Sequence, residues 1–255
     1  MKTITRRQII TILVTLLMIT VNGLANALPL NGQSTGEISD RFAIYFVPAG
    51  YVFSIWGLIY LALIAFTIYQ ALPAQKEDEL LRKISTAYWI GSLANVAWIF
   101  LWHYEFFPLT LIAMLTILAT LLYIYRQFSG AQSTLDRNQK LFVKFPFSIY
   151  LGWISVATIA NFSQVLFSSG WSGWGISPVA WAVIMIVVAT ALGLLMQWRE
   201  GDTPYALVLV WAFIGIAISQ APTALVANTA WVASALVVLA VIILPFRTRI
   251  LDSRV

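Results

Sequence analysis

The chain has 255 residues, of which 60% are hydrophobic and 10% charged, with no cysteine, one histidine and a formal net charge of +5. A soluble domain carries about 25% charged residues, so this composition, with a mean hydropathy of +0.85, excludes a soluble globular protein and describes a polytopic membrane protein. The residue counts also exclude disulfides, thiolate catalysis and a metal centre built from several His or Cys ligands.

A membrane-spanning helix needs roughly 20 mostly apolar residues. Segments of that kind run at about 8–30, 43–72, 85–104, 107–125, 142–168, 176–197, 204–220 and 224–246. Strand-period alternation is absent, so the expected class is an all-α integral membrane protein of about eight helices. Basic residues resist translocation and collect on cytoplasmic loops. Lys2, Arg6 and Arg7 precede helix 1; Lys76, Arg82 and Lys83 lie between helices 2 and 3. Arg126, Arg137, Lys140 and Lys144 lie around the 4–5 connection, Arg199 between 6 and 7, and Arg247, Arg249 and Arg254 after 8. Only Arg41 of the fifteen falls on the other side. The pattern predicts both termini cytoplasmic, in a bacterial plasma membrane by default. Spread over five short segments, the positive charge is no nucleic-acid patch.

In chain order, helix 1 has a basic start, an apolar core and a small-residue ending at Ala25-Asn26-Ala27, which is signal-peptide grammar. Its apolar run continues to Leu30, so the retained, spanning reading is preferred. Asn22 and Asn26 lie one turn apart and read as interhelical glue. After the polar loop "NGQSTGEISDRF" comes "VPAGYVFSIWGLIY" at 47–60. On helix 2, Phe53, Trp56 and Tyr60 share a face. On helix 3, Asn95, Trp98 and Trp102 do the same, and His103 follows. The polar loop at 126–141 leads to helix 5, where Tyr150, Trp153, Ala157, Asn161 and Gln164 form one stripe. "SSGWSGWGISP" joins helices 5 and 6, its two tryptophans suited to the headgroup zone. A faint echo between "GWISVATIANFSQ" and "VWAFIGIAISQ" has unequal Trp-to-Gln spacing and is no repeat.

Trp89, Trp171, Trp174, Trp198, Trp181 and Trp231 read as interfacial anchors. Trp56, Trp98, Trp153 and Trp211 sit near mid-span and resist that explanation. Ring faces for stacking and a few amides for orientation are what a pocket for a flat, apolar ligand needs. Packing needs rings as well, and spacing alone leaves both readings open.

The quoted segments resemble the TspO/MBR family, the translocator or tryptophan-rich sensory proteins, which have a five-helix membrane fold. Its helix-2 pattern, P-P-x-W-x-F-G-P-x-W-x-x-L-Y, places Pro48, Trp56 and Tyr60, with Val47, Gly50 and Ser54 as departures. Its helix-3 pattern, L-N-x-x-W-x-x-x-F-F, matches Asn95 and Trp98, with Trp102 and His103 in place of two phenylalanines. Its helix-5 pattern, P-Y-x-x-W-x-x-F-A-T-x-L-N, matches Tyr150, Trp153, Ala157, Thr158 and Asn161, with Ile149 and Val156 substituted. The resemblance covers about 8–168, so the expected division is a five-helix domain at 1–168 and three additional helices at 169–255. The extra helices would cap a cavity, replace an interface that a dimer otherwise makes, or add a separate function.

The resemblance implies a cavity among helices 1, 2, 3 and 5 that opens toward the loop after helix 1. Ligand-binding residues would be Trp56, Tyr60, Asn95, Trp98, Trp102, Tyr150, Trp153, Ala157 and Asn161, with Pro48 and Gly57 structural. The family's ligands are porphyrins, haem, sterols and similar flat molecules, so a bound porphyrin or haem is the expected ligand, and no cofactor is required. The family is linked to tetrapyrrole handling and stress regulation. Expected partners are the lipid bilayer, a small hydrophobic ligand and a second copy in a homodimer.

Arg41 could meet a propionate, but a solvated loop charge near Asp40 or Glu37 is the plainer reading. His103 reads as a polar rim residue rather than an axial haem ligand. A coupled transporter needs intramembrane charges, and the spans hold almost none; uncoupled transport of a neutral ligand stays open. Acid–base or covalent catalysis has no intramembrane carboxylate or cysteine to work with. An enzyme is therefore not expected, although degradation of a bound porphyrin by light and oxygen would need no such pair.

Overall fold

A computed structural model describes residues 4–28, 30–42, 44–129 and 135–252, with the side chains of Asn26, Asp40 and 245–252 outside that description. The described residues form eight long helices and no strand: α1 (Arg6–Ala27), α2 (Ile55–Ala71), α3 (Glu79–His103), α4 (Phe107–Ser129), α5 (Phe145–Ser168), α6 (Pro178–Glu200), α7 (Thr203–Ser219) and α8 (Ala224–Asp252). Seven described spans are long and apolar enough to cross a membrane. The remaining helix, α7, is apolar but has 17 residues, at the lower edge of the roughly 17–25 that a span requires.

Local chemistry sets the helix ends. Thr5 caps α1 in a reciprocal box with Gln8, and Asp78 caps α3 by accepting from the Leu81 N–H at 2.8 Å. Ser177 caps α6 ahead of Pro178. Gly201, at φ +59°, then ends α6 in the left-handed region, and Asp202 starts α7 at once by accepting from Tyr205 N–H. At the N-terminal side of α5 one wide turn covers 140–144, with Phe145 N–H reaching Lys140 O. It directly precedes Pro146, whose ring and missing N–H an ordinary α-turn tolerates poorly.

Two compact units make up the chain: 1–41 with 54–154, and 42–53 with 155–255. The boundary thus runs inside α5 rather than at 168. In the first unit α1 packs on α2 and α3, and α3 packs on α4. Gly91 lets α3 and α4 approach, since a Cβ there would stand 2.5 Å from Thr120 Oγ1. Fully buried Phe147 is the centre of this core, edge-on to Phe66 at 5.0 Å and Tyr88 at 5.7 Å, with Phe128 tilted at 6.2 Å.

In the second unit α6, α7 and α8 pack on one another. Short α7 is buried on nearly every side, which explains its all-round apolar sequence. The segment before α2 belongs to this unit. Helix was expected from about 43, yet the chain first turns helical at Gly50 and becomes regular at Ile55. Residues 48–52 lie instead on α7: Ala49 N–H donates to Gly215 O at 3.1 Å, and Trp211 Nε1–H donates to Val52 O at 3.0 Å. Tyr51 stands edge-on to Trp211 at 5.4 Å. A Cβ on Gly215 would run into Val52 Cγ2 and lie 3.1 Å from Pro48 Cβ.

This contact predicts that Gly215→Ala lowers the thermal unfolding midpoint in detergent. Overpacking costs about 1–3 kcal/mol, or roughly 2–4 °C per kcal/mol. Adding Val52→Ala should recover part of the loss. A single variant as stable as the parent would show that the approach is not tight.

Candidate functional site

Helical spacing brings the α2 pair together: Trp56 and Tyr60, one turn apart, stack at 5.3 Å with 20° between their planes. From α5, Tyr150 and Trp153 meet the Trp56 ring nearly edge-on, at 5.8 Å and 65° and at 6.2 Å and 81°. Tyr150 and Trp153 are buried, whereas Trp56 and Tyr60 are half-buried. The buried rings fix the plane of Trp56, and part of the stacked pair remains uncovered. Edge-to-face pairs of this kind contribute about 0.5–1.5 kcal/mol each beyond burial.

An amide relay joins three helices beside these rings. Asn22 Nδ2–H donates to Asn95 Oδ1 at 2.7 Å and to Met18 O at 2.8 Å. Asn95 Nδ2–H in turn donates to the Tyr150 hydroxyl at 3.1 Å. Asn22 is therefore glue between helices, and Asn95 is both glue and a neighbour of the ring cluster through Tyr150. Asn26, read the same way from sequence, has its side chain outside the described residues.

Trp98 and Trp102 form a second stacked pair on α3, at 5.0 Å and 21°. Trp98 is half-buried, but Trp102 is buried against Phe107 and donates Nε1–H to Thr35 O at 3.2 Å. His103 has the same task. Its Nδ1 faces Leu30 O at 3.1 Å and so carries the proton, leaving Nε2 to accept from the Thr35 hydroxyl at 3.1 Å. Its carbonyl accepts from Asn31 Nδ2–H at 3.0 Å. Both ring nitrogens are thus taken up in holding the loop after α1. In that loop Ser34 caps a short helix (Thr35–Asp40), and its N–H and hydroxyl, bonding the charged form, hold the Glu37 carboxyl below its ordinary range. Arg41 pairs with Glu105 at 2.8 Å rather than with Glu37, and the Asp40 side chain lies outside the described residues. Glu105 itself sits at φ +63° just past α3.

The outer half of the α5 stripe carries Ala157, half-buried, and Asn161 and Gln164, both buried. Gln164 is the residue that sequence reasoning noted in the stripe but left out of the site. Neither its amide oxygen nor its amide nitrogen has a protein hydrogen-bond partner, although the side chain is 3% exposed. A buried amide without partners is costly in an apolar surrounding and is a group a ligand can satisfy. Gly57 is exposed with open space where a Cβ would stand, and Pro48 lies against Gly215. Among the described residues no group of three His, Cys, Asp or Glu could hold a metal.

The model of one protein family, described as TSPO-like protein, matches residues 8–243. The match spans all eight helices, correcting the expectation that helices 6 to 8 lie outside the resemblance. No curated protein and no solved structure matches the chain.

Two variants separate the roles of the amides. Asn95→Leu removes both relay bonds and should lower stability by about 1 kcal/mol, the scale of buried polar pairs between membrane helices, seen as a lower melting midpoint. Gln164→Leu should raise the midpoint of the ligand-free protein by roughly 2–4 °C, because it removes an unpaired buried amide. A drop on Gln164→Leu would instead mean that the amide is satisfied in the membrane.

Proposed function

Because the chain belongs to the family of TSPO-like proteins, we propose that it is a membrane ligand-binding protein whose ligand is a flat, hydrophobic ring system of the tetrapyrrole kind. The observation that carries this reading is the Trp56–Tyr60 pair, stacked yet partly uncovered and braced by buried Tyr150 and Trp153. A planar macrocycle gains most by lying on an aromatic face, and the part of the stacked pair left uncovered offers one.

The polar share of recognition is small in this reading. Asn95 holds the Tyr150 hydroxyl and thereby the ring that sets the angle of Trp56. His103 plays no part as an iron ligand, since both its nitrogens hold the loop. Arg41 is engaged by Glu105, so a propionate would have to displace an existing partner. Binding therefore rests on stacking and exclusion of water, with sensing or uncoupled carriage as its use.

Quenching of tryptophan fluorescence by protoporphyrin IX, titrated into the detergent-purified protein, tests this. Saturable quenching is expected, with Trp56→Leu weakening the affinity about tenfold, the size of one lost aromatic contact. Trp153→Phe keeps a ring and should weaken it less. Trp198→Phe, at a ring that is 71% exposed on α6, should leave it unchanged. Non-saturating quenching, or equal affinity in parent and Trp56→Leu, would remove the ring site.

A further inference from the structure

The second unit contains a recess of about 180 Å³ where α5 ends and α6 begins. Its walls come from four stretches of chain: Tyr45 and Phe46 before α2, Ser163 and Phe167 on α5, Trp171 in the connecting loop and Trp181 on α6. None of the lining residues is Asp, Glu, Lys, Arg or His. We propose that this recess is a second, separate binding site for a small neutral aromatic molecule of one or two fused rings, of the indole class.

Size excludes the larger alternatives. A cavity of about 150 Å³ lined by apolar side chains accepts benzene, whereas sites for drug-sized ligands run to about 300–1,000 Å³. A space of 180 Å³ therefore takes a bicycle and rejects a macrocycle. Lining chemistry selects within that size. With no ionisable partner beyond the Tyr45 phenol, a charged guest would lose its hydration without compensation. Aromatic walls instead favour a guest with a π-face and a polarised edge.

The loop is shaped to set one of those walls. Gly170, Gly173 and Gly175 have φ of +71°, +72° and +82°, and Trp174 between the last two sits at +49°. A tryptophan in the left-handed region is uncommon and strained, and this one is 84% exposed, so protein packing does not repay it. The turn does fix Trp171, whose ring stands perpendicular to Trp174 on one side (5.3 Å, 81°) and to Trp181 on the other (5.0 Å, 73°). Trp181 is pinned in turn by its Nε1–H bond to Ser163 Oγ at 3.0 Å. An exposed Trp174 suits the headgroup zone, where small amphipathic aromatics themselves concentrate, so guests would enter from the membrane surface.

Fluorine NMR of 5-fluoroindole titrated into the full-length, detergent-purified protein tests the proposal. A saturable, exchange-broadened signal is expected. Ile176→Trp, which fills the recess from its loop side, should abolish it, and Phe167→Leu, at a position 46% exposed and tolerant of change, should weaken it about tenfold. Both variants should keep the parent's protoporphyrin IX titration, which separates this site from the ring pair on α2. Linear partitioning without saturation would overturn the proposal. So would binding that is unchanged in both variants, or tetramethylammonium displacing the fluoroindole.

Discussion

The first unit depends on one side chain, Asn95, in a surrounding where an unpaired amide is expensive. Its oxygen accepts from α1 and its nitrogen donates to α5, so α3 is joined to both by a single group. An amide can do this where a carboxylate cannot, since it offers a donor and an acceptor without charge, and its two polar atoms reach to different sides where a hydroxyl has only one. Once Tyr150 is held, its ring meets Trp56, and Trp56 in turn stacks on Tyr60. The geometry of the ring cluster thus traces back to a polar bond between helices. A similar logic operates one step toward the opposite helix ends, where Thr15 meets the Tyr88 hydroxyl at 2.7 Å and Thr67 meets Thr15 at 3.0 Å.

What the sequence made legible was whatever repeats with the helix. The Trp56–Tyr60 and Trp98–Trp102 pairs and the α5 stripe do follow helix faces, because a period of 3.6 puts residues three and four apart on one side. Phe53, read onto the helix-2 face, lies in the turn Gly50–Ser54 ahead of α2. Trp56 with Tyr60 and Trp98 with Trp102 both stack as that period requires. The number of helices was legible from hydropathy and basic loops alone. Hidden from the sequence was everything decided by partners far along the chain. Trp102 and His103 lie on the right face, but they serve the loop at 30–35. Trp89, read as a headgroup anchor, donates Nε1–H to Thr11 Oγ1 at 2.9 Å on α1. Hydropathy likewise could not show that 44–49 is non-helical, since apolar residues that cover α7 score the same as residues inside a span.

The segment at 42–53 and helices α6 to α8 explain each other. Pro48 and Val52 need a place to pack, and Gly215 on α7 supplies it by having no side chain. Trp211 then closes the contact with a hydrogen bond to a carbonyl that the irregular turn leaves exposed. Read only against a five-helix pattern, the three last helices look like an appendage. The family match over 8–243 fits the packing better, because residues just ahead of α2 have their partners on α7.

Eleven tryptophans therefore do not form one population, and the fate of the indole N–H sorts them. Trp89, Trp102, Trp181 and Trp211 each donate to a protein oxygen on a different segment; these rings fix the chain, and a ligand that took their indole N–H would have to break a bond. Trp174, Trp198 and Trp231 are largely exposed and suit the membrane surface, where the indole can reach water. Trp56 belongs to neither group: it is half-buried, its plane is set by three neighbouring rings, and Tyr60 stacks on it. A ring that is oriented by its neighbours but only partly covered is prepared for stacking in a way that the bonded and the free ones are not. In a tryptophan-rich membrane protein, this distinction between fixed, anchoring and prepared rings carries more functional information than their number.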